Sequence, residues 1–177
     1  MPKKTSVDDD ILLRLETLEA EKKVRQCMNT YMLLCDQLGA ESELNRLSEL
    51  FSEDAIWQGK GKRYAKTFGR YEGRDAIADM FSAYTKEPAH FELNAHFLCN
   101  ELINVDVTNK SANGRWMLIQ PSSFSSGKSQ LSCAYISSEF ICQNNTWLIH
   151  SFTTENIFSR PMAEPWNSAE ALAVPDK

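Results

Sequence analysis

The chain has 177 residues, of which 42% are hydrophobic and 24% are charged, and its formal net charge is −5. This length and composition fit one globular domain with a sizeable core. The acidic balance argues against nucleic acid and anionic membrane surfaces as partners, and no apolar stretch has the length of a transmembrane helix. The N-terminus carries no signal-peptide pattern, so we expect a cytoplasmic protein.

The cysteines and histidines bear on redox state and metal binding. Five cysteines occur, an odd number, and none has CxxC spacing. We expect free thiols in a reducing compartment. His90 and His96 lack zinc-type spacing with further ligands, and there is no phosphate-binding glycine loop. The sequence therefore predicts neither a metal site nor a cofactor.

The first half of the chain has helical patterning. Apolar residues at three- and four-residue spacing predict a helix over residues 8–37 with one apolar stripe, made of Ile11, Leu12, Leu15, Leu18, Val24, Met28, Tyr31, Met32 and Cys35. Gly39 is placed to end it. A second short helix is predicted to bury Leu44, Leu47, Leu50 and Phe51, and a third to run from about Asp75 to Tyr84.

Between these helices the pattern changes to strand and loop. A strand is predicted to begin at Ala55. The segment Gly59–Arg63 reads as a loop or hairpin tip, and with Lys66 and Arg70 it forms a basic stretch. Tyr64 and Phe68 are interleaved with it, which superficially suits nucleic acid. Because the chain is acidic overall, a solvated hairpin is the better interpretation.

The second half of the chain is predicted to be β-structure. Four segments, near 90–108, 114–124, 129–143 and 146–158, are separated by turn-forming residues, which is typical of an antiparallel meander. Early helices and late strands indicate an α+β fold. We expect a curved, mostly antiparallel sheet around three helices, with a ligand cavity at its wide end. The predicted units are an extension (1–9), the domain (10–158) and a tail (159–177) on the surface or over the opening.

Two residues are candidates for chemistry, each with an ordinary alternative. Asp36 prolongs the apolar stripe of the first helix and lies in its last turn, where a carboxylate opposes the helix dipole. It is either an acid, base or orienting group at the cavity floor or a solvated residue in a helix-ending turn. His96 can move a proton near neutral pH. Strand alternation places His96 on the face of the strand opposite to the apolar set from Phe91 to Cys99. That face is turned either to the cavity or to solvent.

Two further polar residues are weaker candidates. Tyr31 precedes Asp36 by five residues, about 140° around the helix, so both reach one cavity only if it is wide. The alternative is a core tyrosine with its hydroxyl at the edge. Gln120 ends a strand with Trp116 on the same side, and either donates into the cavity or marks the strand's exit.

Several motifs, taken in order, resemble SnoaL-like domains of the nuclear transport factor 2-like superfamily. They are Tyr31-x4-Asp36, Leu47-Ser48-Glu49-Leu50-Phe51, Gly69-Arg70-Tyr71-Glu72-Gly73, His96-x3-Asn100-x2-Ile103 and Asn145-Thr146-Trp147. The match covers roughly residues 10–155. The resemblance implies a cone-shaped α+β barrel. It points to the branch with scytalone dehydratase, bile-acid dehydratase and hexachlorocyclohexane dehydrochlorinase, which perform eliminations without metal or organic cofactor.

The resemblance also implies roles for individual residues. Asp36 would be the helix carboxylate, His96 the base and Tyr31 a hydroxyl that polarises a substrate oxygen. We expect the substrate site to include Gln120, Trp57, Asn100, Trp116 and Met32. Gln120 stands near where relatives place a further His or Asp, and His150-Ser151-Phe152 stands where they often have an arginine.

Three functions remain open at this point. The first is a cofactor-independent lyase or isomerase acting on a small hydrophobic substrate, polycyclic molecules included. The second is a small-molecule binding protein without turnover, since a fold does not fix a function. The third is a small structural subunit of a ring-hydroxylating dioxygenase. A homo-oligomer, dimer or trimer, is expected because relatives associate through the outer sheet face.

Overall fold

A computed structural model describes residues 7–38 and 44–168. These residues form the following four helices: α1 (Val7–Asp36), α2 (Leu44–Ser48), α3 (Gly61–Thr67) and α4 (Arg74–Ser82). They form the following seven strands: β1 (Phe51–Lys60), β2 (Arg70–Glu72), β3 (Phe91–Asn94), β4 (Phe97–Asp106), β5 (Ser111–Phe124), β6 (Ser129–Gln143) and β7 (Thr146–Met162). The predicted helix end at Gly39 lies outside the described residues.

One curled sheet contains all seven strands, in the order β2-β1-β7-β6-β5-β3, with β4 also paired to β5. The β1–β7 pair is parallel and the other pairs are antiparallel. The second half of α1 packs against β4 and β7 on the concave side of the sheet, and α4 packs against β1. The predicted fold, an α+β structure with a curved and mostly antiparallel sheet around helices, is confirmed.

Only the second half of α1 belongs to the core. Its buried residues run from Ala20 to Cys35, and Val24 and Met28 are fully enclosed. The predicted apolar stripe is buried only in the second half of the helix. Ile11, Leu12 and Leu18 are more than half exposed. Three- and four-residue spacing identifies an apolar helix face but not the surface that covers it.

The basic segment is a helix and not the predicted hairpin tip. Gly61 has φ +73°, which turns the chain out of β1, and α3 begins there. Tyr64 is buried and fixes this helix to the core. A Cβ on Gly59 would lie 2.4 Å from the Tyr64 carbonyl oxygen, so only glycine lets α3 approach the strand this closely.

The predicted strand 90–108 is interrupted next to the site. β3 ends at Asn94 and β4 begins at Phe97, and both pair with β5. Opposite the gap lies Pro121, whose carbonyl oxygen accepts from the Ala95 N–H at 3.2 Å. Pro121 has no backbone N–H to donate in return, so the hydrogen bonds between β5 and the segment that joins β3 to β4 cannot continue here. His96 lies in the resulting gap.

The ends of the domain differ from the predicted boundaries. Residues 7–9 belong to α1, and residues 159–162 belong to β7. Beyond β7, the Trp166 backbone N–H donates to Ser123 Oγ at 2.9 Å, and its indole donates to the Gln130 carbonyl at 3.0 Å. None of residues 159–168 lines the cavity described below. The rest of the tail lies outside the described residues.

Candidate active site

A cavity opens between α1, the short helices and the concave face of the sheet. Its wall is mostly aromatic, with the side chains of Tyr31, Trp57, Tyr64, Phe68, Phe81, Tyr84, Phe91 and Phe152. Further apolar lining comes from Met32, Leu38, Met80, Leu118 and Ile136. The polar members are Cys35, Asn94, His96, Gln120 and Thr154. A wall of this kind suits an apolar molecule that carries a few polar groups.

The cavity is small. Its volume is about 100 Å³. Roughly 10–15 Å³ of cavity volume is enough for one water molecule, which occupies about 30 Å³ in the liquid. The cavity therefore has room for about eight water molecules. That room corresponds to a molecule of one or two rings.

Asp36 and His96 are in contact at the cavity wall. His96 Nδ1 lies 2.6 Å from Asp36 Oδ1, and the two side chains are 12% and 26% exposed. The helix carboxylate and the imidazole are therefore joined by a direct hydrogen bond. His96 lines the cavity, whereas Asp36 lies behind it and is not part of the lining. Because an ionised carboxylate can only accept, the hydrogen of this bond is on Nδ1, and the neutral form of the ring then carries its lone pair on Nε2.

The hydroxyl of Tyr31 is held inside the cavity by neighbouring polar groups. Trp57 Nε1 donates to Tyr31 Oη at 2.9 Å, and both side chains are buried. The Cys35 thiol, one helical turn further along α1, is also hydrogen-bonded to this hydroxyl. Burial raises the pKa of Tyr31 well above its ordinary value and also raises that of Cys35. Both groups therefore keep their protons at neutral pH.

A pair of side-chain amides lies near the imidazole. Asn94 Oδ1 accepts from Gln120 Nε2 at 2.8 Å and from Ser122 Oγ at 2.8 Å. Asn94 is only 8% exposed, and both Asn94 and Gln120 line the cavity. The pair joins β3 to β5 at the interruption opposite Pro121.

The predicted substrate-site residues divide into two groups. Gln120, Trp57 and Met32 line the cavity, whereas Asn100 and Trp116 do not. Asn100 is the left-handed residue (φ 52°) of a bulge where the β4–β5 register shifts, and its side chain is exposed. Strand alternation placed it on the face of His96, but the extra residue reverses the alternation beyond Cys99.

Trp116 belongs to the core nearer the middle of α1. It is buried, and its Nε1 donates to Glu101 Oε2 at 3.1 Å. Glu101 in turn accepts from Arg25 of α1 at 2.6 Å. The indole lies over the backbone of Gly114, where a Cβ would come within 2.1 Å of the ring. The tryptophan therefore fills the barrel interior away from the cavity.

Sequence reasoning missed most of the aromatic wall and the amide Asn94. Phe81 and Tyr84 lie three residues apart around the end of α4, whereas Phe152 lies on β7, so no local pattern connects all three. Asn94 had a usable signal, because it is two residues before His96 and shares its face by alternation.

A second histidine–carboxylate contact lies outside the cavity. His150 Nδ1 is 3.4 Å from Asp54 Oδ1 and 3.1 Å from Ser52 Oγ. Ser52 is completely buried and donates to Asp54 at 2.9 Å. This serine has no access to a substrate, so the cluster is a structural tie between β1 and β7.

The described residues contain neither a metal-binding cluster nor a membrane-spanning helix. None of the His, Cys, Asp and Glu side chains between residues 7 and 168 that the structure describes form a group of three able to hold a metal ion. No helix among these residues is long and apolar enough to cross a membrane. All five cysteines carry free thiols, as expected.

The fold and the site allow comparison with known proteins. The family model of the SnoaL-like domain matches residues 16–153. No curated protein sequence matches the chain. Among solved structures, hexachlorocyclohexane dehydrochlorinase from Novosphingobium barchaimii LL02 has 17% identity and a TM-score of 0.69, over 92% of this chain and 99% of that one.

Two structures from Novosphingobium aromaticivorans show the same fold. A protein assigned as a scytalone dehydratase has 16% identity and a TM-score of 0.68, over 86% of this chain and 97% of that one. An NTF2-like protein with a cystatin-like fold has 20% identity and a TM-score of 0.59, over 86% of this chain and 90% of that one. With the family model covering most of its length, this chain belongs to the SnoaL-like domain family.

Proposed function

We propose that the protein is a cofactor-independent lyase or isomerase that removes a proton from a small, largely apolar substrate. The observation that supports this most directly is the 2.6 Å contact between Asp36 and His96 at the cavity wall. The carboxylate holds the imidazole in one tautomer, and the free Nε2 is the base. A positioned general base accelerates proton transfer by roughly 10²–10⁴-fold.

The proposed reaction begins at a carbon next to a carbonyl group. His96 Nε2 takes the proton, and the C–H electron pair forms a carbon–carbon double bond as the enolate develops. In an elimination, the enolate then expels a hydroxyl group from the β-carbon, and the imidazolium returns its proton to make water. In an isomerisation, the same proton goes back to a different carbon. In both cases His96 ends in its starting state.

Asp36 and Tyr31 have different proposed roles. Asp36 is a positioning residue that also stabilises the imidazolium, because it contacts the ring from behind. Tyr31 Oη accepts from Trp57 and is also hydrogen-bonded to the Cys35 thiol, so its proton turns to a substrate oxygen in exchange for that thiol. We assign it to polarising a substrate oxygen. Its raised pKa keeps that proton in place.

The experiment that tests the function is hydrogen exchange into a ketone probe. The two-ring ketone 1-tetralone, incubated with the protein in D₂O, is expected to gain deuterium at the carbon beside its carbonyl, as followed by proton NMR. The related 3-hydroxy-1-tetralone is expected to lose water and give 1-naphthol. His96→Ala should abolish both reactions. Exchange that continues unchanged in His96→Ala would show that the dyad is not the base.

A binding protein without turnover is the second candidate, and one observation favours it. Gln120, an amide that neither gives nor takes a proton at neutral pH, stands where relatives place a further His or Asp. Tight binding of 1-tetralone with no deuterium exchange and no dehydration would select this function over the enzyme.

We also propose that the protein associates with copies of itself through the outer face of the sheet. One cross-strand row on that face is apolar: Phe97 pairs with Ile119, Ile119 with Cys133, and Cys133 with Phe158. Phe97 is 57% exposed and Phe158 is 41% exposed. Such a row loses contact with water in an assembly.

A further inference from the structure

Asn94 has a buried donor whose partner the described structure does not supply. Its Oδ1 accepts from both Gln120 and Ser122, so its amide nitrogen is turned away from them. Among the described residues, no hydrogen bond involves that nitrogen. The side chain is more than nine-tenths buried, in the cavity wall. Buried polar groups in native proteins are nearly always hydrogen-bonded, so an unpaired amide in a cavity wall points to a ligand that accepts from it.

The conclusion does not depend on which way the two amides are turned. If both were rotated by half a turn, Asn94 Nδ2 would donate to Gln120 Oε1 and Ser122 Oγ, and Gln120 would keep the free N–H group. In either arrangement the bond between the amides uses one donor and one acceptor. Because each amide nitrogen carries two hydrogens, the pair always retains at least two N–H donors and one oxygen acceptor for a ligand.

The cavity wall limits the charge of that ligand. Among the described residues that line the cavity, there is no lysine and no arginine. A carboxylate or phosphate in this cavity would lose its hydration without gaining a cationic partner, which is costly. The ligand that fits is neutral. With a volume of about 100 Å³ and a mainly aromatic wall, it has one or two rings.

The position of the amide pair relative to the base identifies the group that it binds. Asn94 and His96 are two residues apart and both line the cavity, so they project to the same side. A carbonyl oxygen bound to the free amide N–H would therefore lie in the same cavity as the imidazole that is the proposed base. When the carbon next to that carbonyl group loses its proton, negative charge develops on the oxygen, where a fixed N–H donor stabilises it most.

We propose that the Asn94–Gln120 amide pair is the carbonyl-binding site and that the substrate is a neutral ketone of one or two rings. The assignment of a reaction to this ketone rests on the proposed function, whereas its binding does not. Ser122 holds Asn94 in place from the neighbouring strand. The remaining amide oxygen of the pair accepts from a hydroxyl on the same molecule.

The test compares a ketone with its hydrocarbon analogue by equilibrium dialysis. The full-length protein is expected to bind 1-tetralone about tenfold more tightly than tetralin, as one good hydrogen bond contributes. Asn94→Ala should reduce this preference to within about twofold on the same scale. Asn104→Ala, the same substitution at an exposed asparagine of β4, should leave it unchanged. Tetralin-1-carboxylate should bind less tightly than the ketone.

A second variant and a direct measurement keep the test independent of folding. Asn94→Asp keeps an oxygen for Gln120 and Ser122 but has no N–H group, so it should also lose the preference. In the unmodified protein, the side-chain ¹⁵N resonance of Asn94 or Gln120 should shift with 1-tetralone and not with tetralin. Equal binding of ketone and hydrocarbon, a preference retained in both Asn94 variants, or tight binding of the carboxylate would overturn the proposal.

Failure of this proposal is distinguishable from failure of the proposed function. His96→Ala should still prefer 1-tetralone to tetralin, although it no longer exchanges deuterium. If the protein binds the ketone through the amides but does not exchange its hydrogens, the carbonyl-binding site is supported and the proposed enzyme function is refuted. If Asn94→Asp exchanges the hydrogens of the ketone at an unaltered rate, the proposed enzyme function is supported and the carbonyl-binding site is refuted.

Discussion

Replacing Asp36 by Asn tests whether the carboxylate acts through the imidazole. The substitution keeps the size of the side chain but removes its charge, and an amide can donate as well as accept. His96 Nδ1, now 2.6 Å from a carboxylate oxygen, would face a group that no longer imposes one tautomer. The imidazolium formed after proton removal would also lose its counter-charge.

The size of the effect follows from the type of contact. A hydrogen bond to a charged group contributes roughly 1.5–3 kcal/mol. Since about 1.4 kcal/mol corresponds to a factor of ten in rate, Asp36→Asn should slow deuterium exchange into 1-tetralone by about 10- to 150-fold. Removing the base itself in His96→Ala should cost roughly 10²–10⁴-fold. The double variant should be no slower than His96→Ala, because groups that act as one unit are not additive.

The assay is the initial rate of deuterium incorporation, together with the ¹⁵N resonances of the histidine ring. In the unmodified protein, His96 should show hydrogen on Nδ1 and a free lone pair on Nε2. In Asp36→Asn, the resonances should report a mixture of tautomers. Asp54→Asn is the matched control, because it alters the carboxylate next to His150, outside the cavity.

One pattern of results would refute this reasoning. If Asp36→Asn and Asp54→Asn exchanged deuterium at the same rate as the unmodified protein, the carboxylate would have no part in the reaction. If the double variant were slower than His96→Ala by the full factor of Asp36→Asn, the two residues would act separately. The 2.6 Å contact would then be structural only.

Three further predictions concern stability and assembly. The raised pKa of Tyr31 means that the unfolded chain loses this proton above about pH 10 while the folded chain keeps it. The free energy of unfolding should therefore fall with rising pH there, and Tyr31→Phe should remove about 1.4 kcal/mol per pH unit of that slope, which urea unfolding at several alkaline pH values measures. The same dependence of the free energy of unfolding on pH in the unmodified protein and in Tyr31→Phe would contradict this prediction. Gly59→Ala places a Cβ 2.4 Å from the Tyr64 carbonyl oxygen and should lower the free energy of unfolding by about 1–3 kcal/mol, and an unchanged denaturation midpoint would show that α3 moves away freely. Ile119→Lys should reduce the mass measured by light scattering to that of a monomer, whereas Thr108→Lys in the β4–β5 turn should not, and a monomeric unmodified protein would end the assembly proposal.

The helical and strand periods predicted the class of fold, because burial produces them directly. The sheet, its mostly antiparallel pairing and the core half of α1 follow from these periods. The exposure of the first half of α1 does not follow from these periods, since the exposure of Leu18 depends on which other elements pack against it. The helix α3 was missed because Gly59 and Gly61 were read as loop residues, whereas one permits close packing and the other a turn into a helix.

The candidate site was predictable in Asp36, His96 and one of its two amides, Gln120. Asp36 and His96 stand out because a carboxylate on an apolar stripe and a histidine within a strand need an explanation. Gln120 was a candidate because it follows Trp116 on the same side of its strand, whereas Asn94 was passed over because amides are common at strand ends. Asn100 was wrongly placed because alternation holds only while the register is unbroken, and a bulge is not visible in the residue types alone.

Pro121 has a consequence for how the site changes over evolution. The missing N–H leaves the segment around His96 with one backbone bond, from Ala95 to Pro121, and with the side-chain contact to Asp36, while the pairing of β5 with β6 stays intact. Substitutions at these few anchors can redirect the imidazole without weakening the scaffold. A proline in one strand thereby separates the part of the barrel that specifies chemistry from the part that keeps it folded.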